Sequence, residues 1–482
     1  MHREVHISEI LLQLERDDLL PAIVFRTSRA QCDADVLRAT GNKKLELPVH
    51  RQAELSRSIE EIIVRYDMDA ELIRAHEQYD GLIRTGIGAH HAGQLLIWRL
   101  LLEETMALGQ LRILVATGTV AAGVDFPART VVVTAHSRRG ADGFQNFSST
   151  EFQQMSGRAG RRGKDTVGFC IVAPGPFCDA RQLLEIAHKP ANPLSSAYFP
   201  SSSTVLNLLR YRNVDDLRYT VGKSLASFFD KREAGKLRQD GAVLEEKLSS
   251  VGYPVLASQE DGGGDKDWKR IRKKMNRLKR GAEELETRQL AMIDQALKGL
   301  ETLGYVSGIS LSEKGYWAAN LCTDLVLELG EIIQAGVLDG VSAEYLAAIM
   351  GSLAGDPHRK YLSNKKVNVL KKEDVESLRS ILARVGAVDM PGTKSERDVL
   401  ESGAYTVMMW LQANNWQEFR SILLLSRVAE GDAARLLTQT ADYLNQLSRL
   451  SDTHRELSFR ATEAKRRILR PPLSDAINLD TL

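Results

Sequence analysis

The sequence predicts an α/β domain with an open parallel sheet and helices on both faces, followed by a winged helix and an all-α helical bundle. Three observations support this prediction. Short apolar runs alternate with helix-forming stretches over residues 1–190. Proline and serine accumulate in a connector, which we place at residues 191–230. Residues 321–482 carry helical periodicity, and the stretch before them has the helix, strand, turn and strand order of a winged helix.

The composition limits the possible classes of protein. The 64 lysines and arginines almost balance the 63 aspartates and glutamates, so any contact with nucleic acid must come from local patches. No apolar run approaches the roughly 20 residues that span a bilayer, and the start of the chain lacks the apolar core of a signal peptide. The four cysteines are scattered, which predicts neither a disulfide framework nor a metal site. We therefore expect a soluble, cytoplasmic protein without a membrane partner.

The first predicted strand, Ala22 to Phe25, leads into a helix. Ser28 and Gln31 have the spacing of a capping box, so we expect the helix to begin there and to end at Gly41. A hydroxyl at this position has two possible roles. It caps the helix, or it holds a phosphate of a nucleic-acid backbone.

Two further strands are predicted on either side of a polar loop. The apolar runs Ile113 to Val115 and Val131 to Val133 flank residues 116–129, ATGTVAAGVDFPAR. An earlier strand ends near His90 and His91, whose side chains face opposite sides of the strand and so do not predict a metal pair. In an open parallel sheet, ligands bind outside the carboxyl ends of the strands. The polar loop is therefore a candidate binding site.

A third motif, QMSGRAGRRG, occupies residues 154–163. A helix that starts at Thr150 would place Gln154, Arg158 and Arg161 along one face, and the glycines between them would leave that face free of bulk. The planar fork of a guanidinium matches phosphate oxygens and never loses its charge. The pattern favours phosphoryl-transfer chemistry. The alternative is a solvated surface turn.

Residues 116–129 and 154–163, in this order and spacing, resemble motifs V and VI of the superfamily two helicases, and most of all those of the superkiller-type DExH-box branch. Residues 25–33, FRTSRAQCD, resemble motif IV of the same family. The resemblance implies that residues 1–190 form the second RecA-like domain of a helicase motor. ATP with Mg would then bind between this domain and a first RecA-like domain, which would supply the magnesium ligands.

The resemblance also implies roles for individual residues. Gln154, Arg158 and Arg161 would face the phosphates as catalytic residues. Gly123 and Asp125 would approach the nucleotide. A bound single strand would contact Ser28, Arg29, His91, Thr117, Thr119 and Arg435. For Ser28 the alternative is a plain capping role, and for His91 it is a structural role.

The accessory part is predicted to comprise a winged-helix domain at residues 231–320 and a helical bundle at residues 321–482. The stretches LGYV and LSEKGYWAA resemble the winged helix of the family, and the chain after Trp410 resembles its C-terminal bundle. Lys266 to Arg280 holds nine basic residues and one aspartate. This run is either a solvated helix face or an electrostatic track for a phosphate backbone. No large stalk-and-barrel insertion is expected.

Together these patterns predict the C-terminal half of an ATP-dependent helicase that binds single-stranded nucleic acid. RNA is favoured over DNA because the bundle resembles that of exosome-type helicases. The only Gly-Lys-Ser run, at Gly222, has Leu217 where a phosphate-binding loop needs its first glycine. We therefore expect no ATP hydrolysis by this chain alone. The phosphate-binding loop and the DExH box would come from a partner chain if this chain is a separate subunit, or from the rest of the gene if it is a fragment. The alternative is a non-catalytic nucleic-acid-binding or assembly subunit derived from a helicase.

Overall fold

A computed structural model describes residues 4–121, 128–140, 143–176, 178–250, 266–392 and 397–474. The strands in this part of the chain form one five-stranded sheet and two hairpins. In chain order they are β1 (Ala22–Arg26), β2 (Ile87–His90), β3 (Ile113–Thr117), β4 (Thr130–Val133), β5 (Ser137–Gly140), β6 (Gly143–Asn146), β7 (Phe169–Val172), β8 (Val306–Ser307) and β9 (Ser310–Leu311). The five-stranded sheet has the order β2-β3-β1-β4-β7, and all its pairings are parallel.

Helices cover both faces of this sheet. They are α1 (Ile7–Arg16), α2 (Arg29–Thr40), α3 (Val49–Arg65), α4 (Ala70–Arg74), α5 (Tyr79–Thr85), α6 (Leu96–Ala107), α7 (Ser149–Ser156) and α8 (Ala180–His188). Successive side chains of a strand point to opposite faces. Ala22 and Val24 of β1 accordingly pack in a cluster with α1 and α2, whereas Ile23 and Phe25 pack in the core that includes α3 and α6. This arrangement confirms the predicted open α/β fold.

The helix after β1 begins and ends where the sequence predicts. Ser28 Oγ accepts a hydrogen bond from the backbone N–H of Gln31 at 3.2 Å, and Gly41 follows the last residue of α2. A serine at this position satisfies one of the backbone N–H groups that a helix start leaves without a partner.

The helix of the third motif is shorter than predicted. α7 starts with a reciprocal capping box and ends at Ser156, with Gly157 as its C-cap. The prediction that Gln154, Arg158 and Arg161 share one helical face is therefore wrong. Glycine favours the end of a helix, so only Gln154 stays on α7, and both arginines lie in the loop that follows.

The chain then forms a long helical hairpin that the sequence does not predict. The hairpin consists of α11 (Leu225–Ser250) and α12 (Lys266–Thr302), and two shorter helices precede it, α9 (Ser202–Leu209) and α10 (Val214–Gly222). The 37 residues of α12 extend over about 55 Å at 1.5 Å per residue. α11 and α12 pack against each other, and Arg238 pairs with Glu286 at 2.6 Å while Asp230 pairs with Arg288. Because these pairs run in opposite sequence directions, the two helices are antiparallel. We call this hairpin the arm.

The base of the arm lies against α9, α10 and the small hairpin of β8 and β9. The sequence predicts a connector at residues 191–230, but Val205, Leu206 and Leu217 of α9 and α10 are buried in the main core. β8 and β9 pair where the strands of the winged helix are predicted. The winged-helix assignment and the domain boundaries remain predictions.

The C-terminal part of the described chain is helical. It contains α13 (Glu313–Ala318), α14 (Val326–Gln334), α15 (Ala343–Ala354), α16 (Lys372–Gly386), α17 (Glu401–Gln412), α18 (Trp416–Leu425), α19 (Glu430–Ser448) and α20 (Arg455–Ile468). α19 packs against α15 and α20, and Trp410, Trp416 and Phe419 form an aromatic cluster with ring centroids 5.3 to 5.4 Å apart. None of the helices that the structure describes is long and apolar enough to cross a membrane.

Candidate nucleotide and nucleic-acid site

A cleft of about 290 Å³ opens at the carboxyl ends of β1, β3 and β4, beside α7. Its lining includes Thr27 after β1, Thr117 at the end of β3 and Gln154 on α7. The parallel register places Arg26 of β1 directly beside Thr117. The three lining residues belong to three separate sequence motifs, and the fold brings them to one place. We call this site the motor cleft.

The two hydroxyl groups after β1 already have partners within the chain. Thr27 Oγ1 donates a hydrogen bond to Gln31 Oε1 at 2.9 Å, and Ser28 Oγ lies 3.2 Å from the same oxygen. Ser28 also caps α2. A phosphate contact of Ser28 would therefore have to replace its bond to Gln31, and that contact remains a prediction.

The loop after β3 is described only in part. Its first turn, Gly118–Ala121, is a 3₁₀ helix that contains Thr119. Gly123 and Asp125, which are predicted to approach the nucleotide, lie outside the described residues.

Backbone hydrogen bonds fix the loop after α7 to the sheet domain. Ala128 N–H donates to the carbonyl of Arg158 at 3.0 Å, and Gly160 N–H donates to the carbonyl of Ala128 at 2.7 Å. Gly160 has a φ of +93°, in the left-handed region that favours glycine. The arginines of this loop are therefore held next to β4 without a helix.

Arg161 forms a two-pronged ion pair with Asp165. Its Nε and Nη2 donate to the two carboxylate oxygens at 2.8 and 2.9 Å, and its backbone N–H donates to the same carboxylate at 2.9 Å. The Asp165 side chain is only 5% exposed. The hydrogen bonds from Arg161 lower the pKa of Asp165 from 3.8 to about 2, and the carboxylate raises the pKa of Arg161. The pair is therefore ionised throughout the physiological range.

The geometry of this pair tests whether the loop fits a nucleotide. The two oxygens of Asp165 fill the guanidinium fork in the way that two phosphate oxygens can fill it, since both groups accept a pair of parallel hydrogen bonds from arginine. Arg161 thus suits a phosphate, provided that Asp165 gives way. Among the described residues there is no group of three His, Cys, Asp or Glu side chains that could hold a metal ion.

Arg29 lies apart from the motor cleft, at the junction between the sheet domain and the bundle. Its Nη1 lies 2.9 Å from both carboxylate oxygens of Asp432 on α19. Arg359 contacts the same carboxylate, so Asp432 joins three segments of the chain. Beside this pair, Gly431 N–H donates to the carbonyl of Gly93 at 2.9 Å. The predicted nucleic-acid contact of Arg29 would have to compete with Asp432.

His91 is held by hydrogen bonds within the sheet domain. Its Nδ1 accepts from Gly93 N–H at 3.1 Å, which leaves the proton on Nε2 to be donated to Asp33 at 2.9 Å. The side chain is only 5% exposed. These contacts give His91 a structural role, and its predicted contact with a bound strand remains untested.

A second cleft lies between the loop after β2 and the bundle helix α19, with a volume of about 550 Å³. We call it the bundle cleft. Arg435, which is exposed, lines this cleft, and so do the partly buried Arg359 and the buried Gln94. The side chain of Gln94 is buried, and neither end of its amide has a hydrogen-bond partner among the described residues. Buried amides normally have partners, so Gln94 is suited to a ligand in this cleft.

Sequence reasoning missed three residues of these sites. Asp165 follows Arg161 by four positions, and this spacing within the motif is a clue that could have been used. Asp432 lies 403 positions from Arg29, and no local pattern connects them. Gln94 is an ordinary polar residue in sequence, and only its burial singles it out.

Comparison with known families gives two matches. The helicase conserved C-terminal domain matches residues 55–163, and the DSHCT (NUC185) domain matches residues 309–475. The first match covers most of the sheet domain up to the arginine loop. The second covers β9 and the helices α13 to α20.

Several curated proteins are similar to about half of this chain. The chloroplastic DExH-box ATP-dependent RNA helicase DExH15 of Arabidopsis thaliana is 34% identical over 245 residues, which are 51% of this chain and 19% of that protein. The probable helicase HelY of Mycobacterium tuberculosis is 31% identical over 261 residues, 52% of this chain and 28% of HelY. Human superkiller complex protein 2 is 30% identical over 261 residues, 53% of this chain and 20% of that protein. The matched segment thus spans less than a third of each relative.

The sheet domain, its arginine loop and the two domain matches are those expected of the C-terminal part of a superfamily two helicase. The domain matches and the relatives support a C-terminal half similar to that of the superkiller-type DExH-box helicases. The family that the sequence motifs resemble is thereby confirmed.

Proposed function

We propose that this chain supplies the second RecA-like domain and the accessory domains of an ATP-dependent RNA helicase. The observation that carries this proposal is the motor cleft, where Thr27, Thr117 and Gln154 from three motifs meet at the carboxyl ends of the strands. Ligands of open parallel sheets bind at that edge. RNA is the proposed substrate because relatives such as DExH15 are named as RNA helicases. We place the protein in the cytoplasm.

In this proposal ATP binds between the sheet domain and a first RecA-like domain, which another chain or segment provides. Hydrolysis of the bound ATP supplies the free energy for movement along the nucleic acid. Gln154, Arg158 and Arg161 face the phosphates. Negative charge on the transferring phosphoryl group and leaving oxygen must be stabilised in the transition state, and a fixed guanidinium does this at low reorganisation cost. The role of Asp165 is to hold the Arg161 fork in position until phosphate oxygens replace its carboxylate.

A single strand is proposed to cross both clefts. Thr117 and Thr119 contact its backbone at the motor cleft, and Arg435 contacts it at the bundle cleft. The buried amide of Gln94, which has no partner among the described residues, supports a polar ligand at the bundle cleft. Contacts of this kind are made with the sugar-phosphate backbone of the strand and not with its bases, so binding should depend little on the nucleotide sequence.

The test replaces Arg161 by lysine in a motor assembled with the first RecA-like domain. Lysine keeps the charge but loses the planar fork. Such arginines are worth roughly 10³ to 10⁵ in rate, or about 4 to 7 kcal/mol at about 1.4 kcal/mol per decade. We expect Arg161→Lys to lower the ATP turnover number by this order while single-strand binding without ATP is retained. Steady-state ATPase assays and fluorescence anisotropy measure the two quantities.

Arg162→Lys is the matched control, because Arg162 is the exposed neighbour of Arg161 in the same loop. We expect it to turn over within about threefold of the parent, a difference of about 0.7 kcal/mol. If Arg161→Lys behaves like Arg162→Lys, the arginine is part of the surface and the proposal fails. If the assembled motor binds single strands but never hydrolyses ATP, the chain is a non-catalytic subunit instead.

A further inference from the structure

The distal half of the arm carries a cationic surface for which the proposed motor has no use. Six exposed side chains of α12 form this surface, which we call the basic face: Lys269, Arg270, Lys273, Lys274, Arg277 and Arg280. At about 100° per residue, they fall within an arc of about 140° around the helix. The opposite side of α12 packs on α11 through Trp268 and Met275, which form a small core with Leu248. The basic face therefore points away from the hairpin.

The cations of the basic face have no partners within the described chain. None of the six forms an ion pair or a hydrogen bond with another described residue. The near half of the arm differs, because Arg238 pairs there with Glu286 and Arg288 with Asp230. Glu245 and Glu246 lie on the distal part of α11, yet neither forms an ion pair with the basic face. Six like charges at three- and four-residue spacing repel each other and cost stability, so an external anion would stabilise this helix.

The dimensions of the face suit a long polyanion. From Lys269 to Arg280 the helix rises by about 17 Å, and the cations follow this line without forming a pocket. A small anion would meet one or two of them. A chain of phosphates would meet most of them at once and would release its condensed counterions, which is the main source of affinity for nucleic-acid backbones.

Among the described residues that make up the basic face, none is aromatic, so none offers a ring on which bases could stack. Proteins that hold single strands combine cations with exposed aromatic side chains. Trp268 is the only aromatic residue of α12, and its side chain is buried, with the Arg272 guanidinium 5.0 Å above its ring. A duplex keeps its bases stacked inside and presents only phosphates and grooves. The chemistry of the face therefore fits a duplex better than a single strand.

We propose that the basic face is a docking surface for the phosphate backbone of double-stranded nucleic acid. This surface is separate from the single-strand contacts of the two clefts, and it needs neither ATP nor a first RecA-like domain. Binding is independent of sequence and falls with salt. The inference goes beyond the motor function, since a chain with no helicase activity would still bind a duplex here.

The test uses the full chain without nucleotide and a variant with four of the cations replaced by glutamine: Lys269→Gln, Lys273→Gln, Arg277→Gln and Arg280→Gln. Binding is measured by fluorescence anisotropy to RNA and DNA duplexes of about 21 base pairs, two helical turns, and to a poly(U) single strand of equal length. Each lost phosphate contact should reduce the slope of log K against log salt by about 0.9. We expect the slope to fall by about 2 to 4 and duplex affinity at about 0.1 M salt to fall on the order of 100-fold.

A matched control removes four exposed cations elsewhere and so changes the net charge equally: Lys43→Gln, Lys44→Gln, Lys365→Gln and Lys366→Gln. We expect this control to keep its duplex affinity within about threefold, a difference of about 0.7 kcal/mol. A second variant exchanges lysine and arginine at the four positions of the basic face. It should bind duplex like the parent, because a backbone contact needs charge and not one side-chain shape.

Three results would overturn the proposal. Unchanged duplex affinity and salt slope in the four-site variant would make the face a solvated surface. An equal loss of poly(U) binding would show that the face holds single strands. Competition by polyglutamate at the same charge concentration as the duplex, with equal affinity, would indicate an acidic protein as the partner. Circular dichroism of every variant confirms that the arm remains helical.

Discussion

The arginines of the sheet domain and the cations of the arm are two opposite uses of positive charge in one chain. In the sheet domain each of three arginines meets a carboxylate of the chain itself, and the pairs are Arg26 with Asp35, Arg29 with Asp432 and Arg161 with Asp165. In the distal arm six cations meet none in the described residues. The difference shows that the fold fixes the direction of the first group and leaves the second group to the solvent.

The contrast distinguishes cations that are held in a fixed direction from cations that act through their combined electrostatic field. A guanidinium held by a carboxylate points in one direction, so it can serve a ligand of defined shape or stabilise a defined junction. A row of unpaired cations attracts any polyanion and has little directional preference. Replacing a paired arginine should therefore disturb local structure, whereas replacing an arm cation should change mainly the response to salt.

The strongest test of the contrast is the buried pair at the end of β1. Arg26 Nε lies 2.6 Å from Asp35, and both side chains are at most 5% exposed. Burial raises the pKa of Asp35, and Arg26 counteracts this increase. Arg26→Ala leaves an uncompensated buried carboxyl group, and we expect it to lower the free energy of unfolding of the sheet domain by about 3 to 5 kcal/mol. Hydrogen exchange of the β1 and β3 amides measures the change.

The control for this prediction is Arg38→Ala. Arg38 lies 3.9 Å from the same carboxylate, but its side chain is 57% exposed. An exposed pair of this kind contributes about 0 to 1 kcal/mol. The joint replacement Arg26→Met with Asp35→Leu should be close to neutral, since a buried ion pair offers little net advantage over apolar packing. Equal effects of Arg26→Ala and Arg38→Ala would contradict the contrast.

The next test uses the pH dependence of the Arg161 pair. The pKa of Asp165 is about 2 in the folded chain, below its ordinary 3.8. A depressed carboxyl pKa contributes stability that is fully present above the unfolded value and is lost as the pH falls through the folded value. We expect the pair to contribute about 1 to 2 kcal/mol to the stability of the sheet domain above about pH 5, at about 1.36 kcal/mol per pKa unit. This contribution should be lost progressively between about pH 5 and pH 1, below both pKa values.

Asp165→Asn keeps the shape of the side chain and removes the titrating group. The difference in the free energy of unfolding between parent and variant should be constant above about pH 5, fall as the pH is lowered through about 2, and vanish at about pH 1. Urea unfolding that is monitored through the hydrogen exchange of β7 amides gives this difference at each pH. A difference that grows with acidity would mean that the pair does not stabilise the fold.

The smallest effect is expected in the arm. Lys273→Gln relieves repulsion with Lys269 and Arg277, each worth roughly 0.2 to 0.5 kcal/mol at four-residue spacing. We expect the variant to be slightly more stable than the parent at low salt, by less than about 1 kcal/mol, and indistinguishable from it at about 1 M salt. Hydrogen exchange of α12 amides at the two salt concentrations measures the change. A destabilised arm at low salt would reveal an internal partner of Lys273.

The sheet was predictable because the sequence signals that specify it are local. Alternating apolar runs and helix caps such as Ser28 lie within a few residues of the elements that they specify, and the structure follows them closely. The length of α7 was predictable in principle as well, because Gly157 favours the end of a helix. The predicted face carrying Arg158 and Arg161 failed because helical spacing was extended through that glycine.

The arm and the ion-pair partners were harder to predict, for a physical reason. The buried residues of α11 include small ones such as Ala234 and Gly241 as well as Leu248, so its apolar stripe is weak in sequence. The partner of Arg29 is set by the packing of the bundle on the sheet domain, and this packing involves residues hundreds of positions apart. Such contacts depend on which residues come close in the folded chain, and a local sequence pattern does not predict this.

The contact between Gly431 and Gly93 makes the bundle and the sheet domain a stiff mechanical linkage. A Cβ atom at position 431 would lie 2.5 Å from the Ala92 carbonyl oxygen, so the two backbones touch with no side chain between them. Side chains yield by changing rotamer, whereas peptide units in contact hardly yield at all. We expect a displacement of residues 92–94, which follow β2, to be passed to the start of α19. The 19 residues of α19 span about 28 Å, so a small rotation at its start would move its far end by a larger distance.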